Sequence, residues 1–246
     1  MTGIDGRFAA WHRFDRHFFL AFVGCCWVAI TFGFAPAVKT RLAGTPDYDA
    51  PWALVIHVWS FVAWMTILTL QIGFIRFRRR DLHRLLGPII LALIPVMAIS
   101  AIATEIYSER FYAAKDPEEF RFFILPLITV VLFTITACGG FIMRHDPPAH
   151  KRMILLATSV ILSAATFRWW GAAIFAAFGF NAWLMSDWLG PTMLIVSAVL
   201  YDTLTRGRVH RVLAIGAPLY LAAFAASIAI YWSDWWLALV RRGFGN

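Results

Sequence analysis

The stretch Arg78–Thr104, RRRDLHRLLGPIILALIPVMAISAIAT, decides the class of this protein. Its first seven residues hold four arginines, an aspartate and a histidine, and the next 20, Leu85–Thr104, hold no charge at all. At ~1.5 Å of helix rise per residue, such a run crosses the ~30 Å hydrocarbon core of a bilayer. The same pattern recurs outward in both directions. Phe18–Val38, Pro51–Ile75, Phe122–Met143 and Val212–Ser233 are uncharged, and a further run begins at Met153, broken by Arg168 and again by Asp187. Of the 246 residues 61% are hydrophobic and 15% charged, where a soluble domain carries about a quarter charged. A water-soluble enzyme, a coiled coil and a disordered chain are thereby excluded. The sequence predicts an all-α polytopic membrane helix bundle forming a single transmembrane domain, 1–246.

Seven transmembrane helices are expected, over about 17–38, 51–75, 84–107, 121–143, 150–175, 188–204 and 210–232, with a loop around Gly179–Asp187. Charge placement sets the orientation. If the N-terminus is cytoplasmic, the inner segments hold Arg7, Arg13, Arg16; Arg76, Arg78, Arg79, Arg80, Arg84; Arg144, Lys151, Arg152; and Arg206, Arg208, Arg211. Those are 14 of the 22 basic residues against five acids, whereas the outer side holds eight basic residues and nine acids. The expectation is N-in/C-out, in a bacterial inner (cytoplasmic) membrane. The net charge of +8 is spread between apolar runs rather than over one face, so nucleic acid is not an expected partner. The expected surroundings are the lipid bilayer, with a membrane-protein partner or a second copy of the chain as further candidates.

The first span is too long for a signal-peptide core and is read as retained. Arg7–Arg16, with Phe8, Trp11 and Phe14, reads as an interfacial lead-in. Trp235, Trp236 and Leu237 before Arg241 and Arg242 read as an amphipathic tail on the outer surface. Prolines 95, 126 and 218 are expected to kink their spans. Cys25, Cys26 and Cys138, without metal-type spacing, read as packing residues.

Ionisable groups inside a bilayer are costly, so their positions carry the functional signal. Three histidines followed by a basic residue, His83-Arg84, His150-Lys151 and His210-Arg211, each open a span running from the inside outward. The positive end of a helix disfavours a second cation there and so favours neutral imidazole, the form that binds metal or haem iron. Asp202 lies at the same level. Candidate metal or haem ligands are therefore His83, His150, His210 and Asp202, for zinc, iron or haem b. The competing reading makes the histidines interfacial anchors, Asp81 a helix cap and Asp202 a partner of Arg206 one turn on.

A second candidate set is a polar pocket of His57, Gln71, Glu105 and Arg168. His57, Phe61, Trp64, Leu68 and Gln71 form one helical stripe, and Arg168 follows His150 by five turns on the same face. The structural alternative is an Arg168–Glu105 interhelical clamp. Ser159, Ser163 and Thr166 read as close-packing small residues. A lysine for a retinal Schiff base is missing from Val212–Ser233, so retinal is not expected.

The run His57…Trp64…Gln71, then Asp81-Leu-His-Arg-Leu-Leu-Gly87, His150–Thr158 and Tyr201-Asp202 through Val209-His210, resembles a widespread bacterial family of uncharacterised multi-pass membrane proteins. The likeness covers most of the chain and implies the fold without implying an activity. Family members usually carry proline after the last histidine, where this chain has Arg211. The His-x-x-Leu-Gly spacing of His83–Gly87 is also similar to that of cytochrome b561-type proteins, whose paired deep histidines hold two haems. Only His57 lies deep here, so the likeness implies at most one haem, on two of His83, His150 and His210. The functional expectation is a membrane-embedded metal- or haem-binding protein doing redox or hydrolytic chemistry at the cytoplasmic leaflet. The alternatives are a small-molecule carrier or channel, with His57 and Arg168 outside and Gln71 and Asp202 inside, or a cofactor-free assembly subunit.

Overall fold

A computed structural model describes residues 8–244, and Arg7 of the expected lead-in lies outside them. The described chain is helical throughout, with no strand. In order it comprises α1 (Asp15–Leu42), α2 (Trp52–Arg76), α3 (Arg80–Ala113), a 3-10 segment (Pro117–Phe123), α4 (Ile124–Ile142), a 3-10 turn (Met143–His145), α5 (Pro147–Ile161), α6 (Ser163–Phe178), α7 (Phe180–Ser186), α8 (Leu189–Arg206), α9 (Arg211–Tyr231) and α10 (Asp234–Phe244). Side-chain caps start the first 3-10 segment and α5. Asp116 accepts the Glu118 N–H at 3.0 Å and Asp146 accepts that of Ala149 at 3.3 Å. Both caps precede proline, whose missing N–H is no loss in a first turn.

Five helices are long and apolar enough to cross a membrane, and two bent pairs, α5–α6 and α7–α8, bring the number to as many as seven. Between 17 and 28% of each of the five apolar windows is buried against protein. The remaining apolar surface needs lipid, which makes the molecule a membrane helix bundle rather than a soluble one. α2 packs along α3 and α4 along α5, while α1 lies on α6. The main core runs through the bundle from Phe22 and Trp64 to Phe133, Leu156, Trp188 and Tyr220. A smaller core of Phe120, Leu125, Leu184, Trp236 and Val240 closes the end at which α3 and α9 finish.

Several expectations need correction. The span expected over 150–175 is two helices meeting at Leu162 with a 41° bend, so His150 and Arg168 do not share one helix face. The expected loop around Gly179–Asp187 holds α7, which meets α8 at 48° across Asp187 and Trp188. The first break holds no proline, whereas Pro191 in the first turn of α8 has no N–H to offer the Asp187 carbonyl four residues back, at the second break. The Thr166 hydroxyl reaches the Leu162 and Ser163 carbonyls at 3.0 and 3.1 Å and so meets acceptors beside the first bend. A Cβ on Gly190 would overlap the Thr166 side chain, so the close approach of α6 and α8 requires glycine there. Prolines 95 and 218 lie inside continuous helices, and Pro126 sits in the first turn of α4, where no backbone bond is lost.

The lead-in does more than lie at an interface. Trp11 and Phe14 are exposed, while the carbonyls of Ala9 and Ala10 accept from Arg206 (3.4 Å) and Lys151 (2.9 Å), pinning the segment to α8 and α5. The tail forms α10 and is amphipathic as expected, with Trp236, Leu237 and Val240 buried and Trp235 and Leu239 exposed. Trp236 donates to the Arg121 carbonyl at 3.2 Å, and Arg121 pairs with Asp234 at 2.8 Å, which docks the helix on the 3-10 segment.

Candidate functional site

The three histidines do stand at helix starts: His83 in the first turn of α3, His150 in that of α5, and His210 as the N-cap of α9. Two of them meet. The rings of His83 and His150 are perpendicular with centroids 6.2 Å apart, joining the α2–α3 hairpin to the α4–α5 hairpin. His150 Nδ1 lies 2.7 Å from the Gly140 carbonyl, which can only accept, so Nδ1 carries the proton and Nε2 keeps its lone pair. A backbone carbonyl fixing the tautomer in this way is the usual support of a metal-bound histidine. His83 Nδ1 is buried and without a hydrogen-bond partner. Gln71 on α2 donates from Nε2 to the His83 carbonyl at 3.1 Å, and its buried Oε1 is also unpartnered. Orphaned acceptors of this kind are uncommon in folded proteins.

His210 and Asp202 belong elsewhere, which corrects the expected four-ligand set. His210 Nδ1 accepts the Val212 N–H at 3.2 Å, leaving the proton of the neutral ring on Nε2, and the ring stands edge-on to Phe8 at 4.7 Å. Both nitrogens are thereby unsuited to a metal. Burial and the nearby Arg152 charge hold the His210 pKa down at about 4. Gly207, with φ of 67° at the end of α8, makes the turn that carries the chain to this cap. Asp202 is occupied by Arg152, whose Nε lies 2.7 Å away, by the His210 N–H at 3.1 Å, and by Arg206 at 3.8 Å. Among the described residues no three His, Cys, Asp or Glu side chains gather as metal ligands.

Asp202 is one half of a buried charge network that sequence reading found only in part. Asp15 in α1 accepts from Lys151 (2.6 Å), from Arg206 (2.8 and 3.0 Å) and from the Tyr201 hydroxyl (2.6 Å). Arg152, Arg206, Asp15 and Asp202 have side chains no more than 3% exposed. Phe8 lies under the guanidinium groups of Arg152, Arg206 and Arg208 at 4.5–5.5 Å. The available signal was scarcity: few acids on the basic side, each therefore set among cations. Asp81 is no cap; it pairs with Arg79 at 2.8 Å on the surface.

At the opposite end the expected pocket is only partly assembled. The stripe of α2 faces inward, with Trp64, Leu68 and Gln71 buried and Trp64 Nε1 donating to Thr158 at 3.2 Å, but it separates His57 from Gln71 by four turns. Arg168 acts electrostatically on His57, Glu105 and Asp187. It makes no ion pair with Glu105: its Nη1 donates to the Ala164 carbonyl at 3.0 Å, and the group lies exposed over Phe34. The expected clamp is absent, and Asp187 and Glu109, both 5% exposed, are the buried acids of this region that sequence reading did not single out. Ser159, Ser163 and Thr166 are buried where α5 and α6 meet, as close packing requires. The chain matches no protein-family model, no curated protein and no solved structure.

Proposed function

We propose that this is a seven-span membrane protein, N-in and C-out, that binds one transition-metal ion between His83 and His150 at the cytoplasmic leaflet. The bent pairs α5–α6 and α7–α8 then count as one span each. The distribution of basic residues supports the orientation and, with the resemblance to the uncharacterised bacterial family, a bacterial inner membrane.

The observation that carries the reading is the histidine pair. Two imidazoles on one metal, with bonds of ~2.0–2.1 Å and ring centres ~1.1 Å behind the nitrogens, have centroids between ~5 Å, at a tetrahedral angle, and ~6.2 Å, when they stand opposite each other. The observed separation is 6.2 Å. His150 would bind through Nε2, His83 through its imidazole, and the free Oε1 of Gln71 lies at the same corner as a third neutral donor. A set of imidazoles and an amide oxygen suits zinc or iron better than magnesium or calcium. The same two histidines would hold the iron if it were in haem. A bound ion would supply a Lewis acid or a one-electron couple at the membrane surface. The chain's own part is to fix the His150 tautomer through Gly140 and to hold His83 through the Gln71 amide.

Elemental analysis and absorption spectra of the purified protein test this. About one zinc or iron per chain is expected, lost in His150→Ala and His83→Ala and kept in His210→Ala. Metal at background in folded wild type, or equal loss in His210→Ala, would overturn it.

A further inference from the structure

Two groups of basic residues lie on the side of the bundle where α1 begins, and their surroundings differ. Lys151, Arg152 and Arg206 are turned inward onto Asp15 and Asp202. Arg13, Arg16, Arg76, Arg78, Arg79, Arg80 and Arg84 are all exposed, at the start of α1, the end of α2 and the turn into α3. Arg76 Nη1 donates to the Arg16 carbonyl at 3.4 Å, which brings the parts of this patch together. Among the described residues the one carboxylate paired with any of the seven is Asp81, held by Arg79 at 2.8 Å. Asp15 lies between Arg13 and Arg16 in the chain but points inward to Lys151, Arg206 and Tyr201. Arg16 donates from Nε to neighbouring His17, and the side chains of Arg78, Arg80 and Arg84 make no hydrogen bond or ion pair to a described residue.

The turn itself is built around one of these arginines. Arg78 has φ of 61° and is the single non-glycine residue in the left-handed region among the described residues. The Arg79 N–H bonds to the Phe74 carbonyl at 2.7 Å, so Arg78 takes the position after a helix that glycine normally fills. A side chain there carries a conformational cost, and this one has nothing of the protein's own to bind. Trp11, Phe14, Phe77 and Leu85 are exposed in the same segments, Phe77 by 74% and Leu85 by 70%. Guanidinium groups among exposed aromatic and aliphatic side chains match a membrane–water boundary. Arginine presents paired N–H groups that fit two oxygens of one phosphate, and crowded like charges favour an anion among them. An anionic phospholipid brings both the phosphate and the apolar chains.

We propose that this corner binds the headgroup of an anionic phospholipid, with Arg16, Arg76, Arg78 and Arg80 on its phosphates and Phe77 and Leu85 against its acyl chains. Once Arg79 is paired, the other six arginines have no carboxylate, so a lipid with two phosphates satisfies the site better than one with a single phosphate. The bound lipid ties the start of α1 to the α2–α3 hairpin, adding to the Arg76–Arg16 contact. The inward-turned group of Lys151, Arg152 and Arg206 has its own carboxylates and takes no part. This site needs the bundle to lie in a bilayer and needs neither histidine of the metal reading, so the two stand or fall separately.

Thermal unfolding of the full chain in dodecyl maltoside tests this, with tetraoleoyl cardiolipin, dioleoyl phosphatidylcholine or inorganic phosphate added. Cardiolipin is expected to raise the unfolding midpoint at concentrations about tenfold or more below those at which the other two act. Arg76→Gln with Arg78→Gln should raise the cardiolipin concentration needed about tenfold. Arg144→Gln with Arg211→Gln removes the same charge from exposed positions outside the patch and should change it by less than about twofold. Arg78→Gly separates charge from fold: glycine suits the left-handed backbone, so the lipid-free midpoint should not fall, while the cardiolipin needed rises about fivefold. The proposal is overturned if phosphatidylcholine or inorganic phosphate acts as well as cardiolipin, if the two double variants weaken its effect equally, or if Arg78→Gly leaves the cardiolipin dependence unchanged.

Discussion

The two ends of the bundle handle buried charge in opposite ways. At the histidine end two carboxylates, Asp15 and Asp202, face three cations, Lys151, Arg152 and Arg206, and every acid oxygen has a short partner. At the other end the buried acids Glu109 and Asp187 make no ion pair, and Arg168, the cation nearest Glu105 and Asp187, donates to the Ala164 carbonyl instead. Full pairing marks groups whose work is to hold helices and the lead-in segment together. Missing pairing marks groups kept at a cost in stability, which is what a site for chemistry or ions looks like.

The largest effect should separate the two acids at helix ends. Asp202→Asn leaves Arg152 buried without its partner and should cost about 3–5 kcal/mol. Asp187→Asn removes a carboxylate that has no partner to lose and should be neutral or slightly stabilising. Thermal unfolding in detergent reads both, and equal losses would erase the contrast between the ends. A middle effect concerns pH. His210 has a pKa of about 4 in the folded chain, below the 6.5 of an unperturbed histidine. Between those values the unfolded chain binds the proton and the folded chain does not, so stability should fall as pH drops from about 6.5 toward 4 and be flat above. His210→Asn keeps a capping side chain and should flatten that part of the profile; an unchanged slope would assign it to other groups. The smallest effect is expected at the surface pair: Asp81→Asn should leave the unfolding midpoint where it is, because Arg79 and Asp81 are both more than half exposed.

Much of the architecture was legible in sequence because the membrane imposes it: uncharged runs of fixed length, with basic residues between them, admit few alternatives. The break at Leu162 was not legible, since it contains no proline, and the one at Asp187–Trp188 was signalled only by Pro191, four residues beyond Asp187, which the sequence reading passed over. At the histidine end, spacing placed His83, His150 and His210 in one plane. Which two meet is set by the pairing of the hairpins, and the fate of Asp202 by Arg152, a residue whose inward direction no local pattern announces. His57 and Gln71 share a stripe, yet periodicity along one helix says nothing about which distant residues face its two ends.

The ion pairs of Asp15 carry a consequence for biosynthesis. Its partners are 136 residues downstream at Lys151 and 191 downstream at Arg206. At ~5–20 residues per second, the ribosome needs on the order of 10–40 s after making Asp15 before Arg206 emerges. Until Lys151 follows, on the order of 7–27 s after Asp15 at the same rate, the first helix carries an uncompensated acid at its membrane edge, free to stay hydrated. The N-terminal segment, made first, is therefore locked only after α5 and α8 have been made.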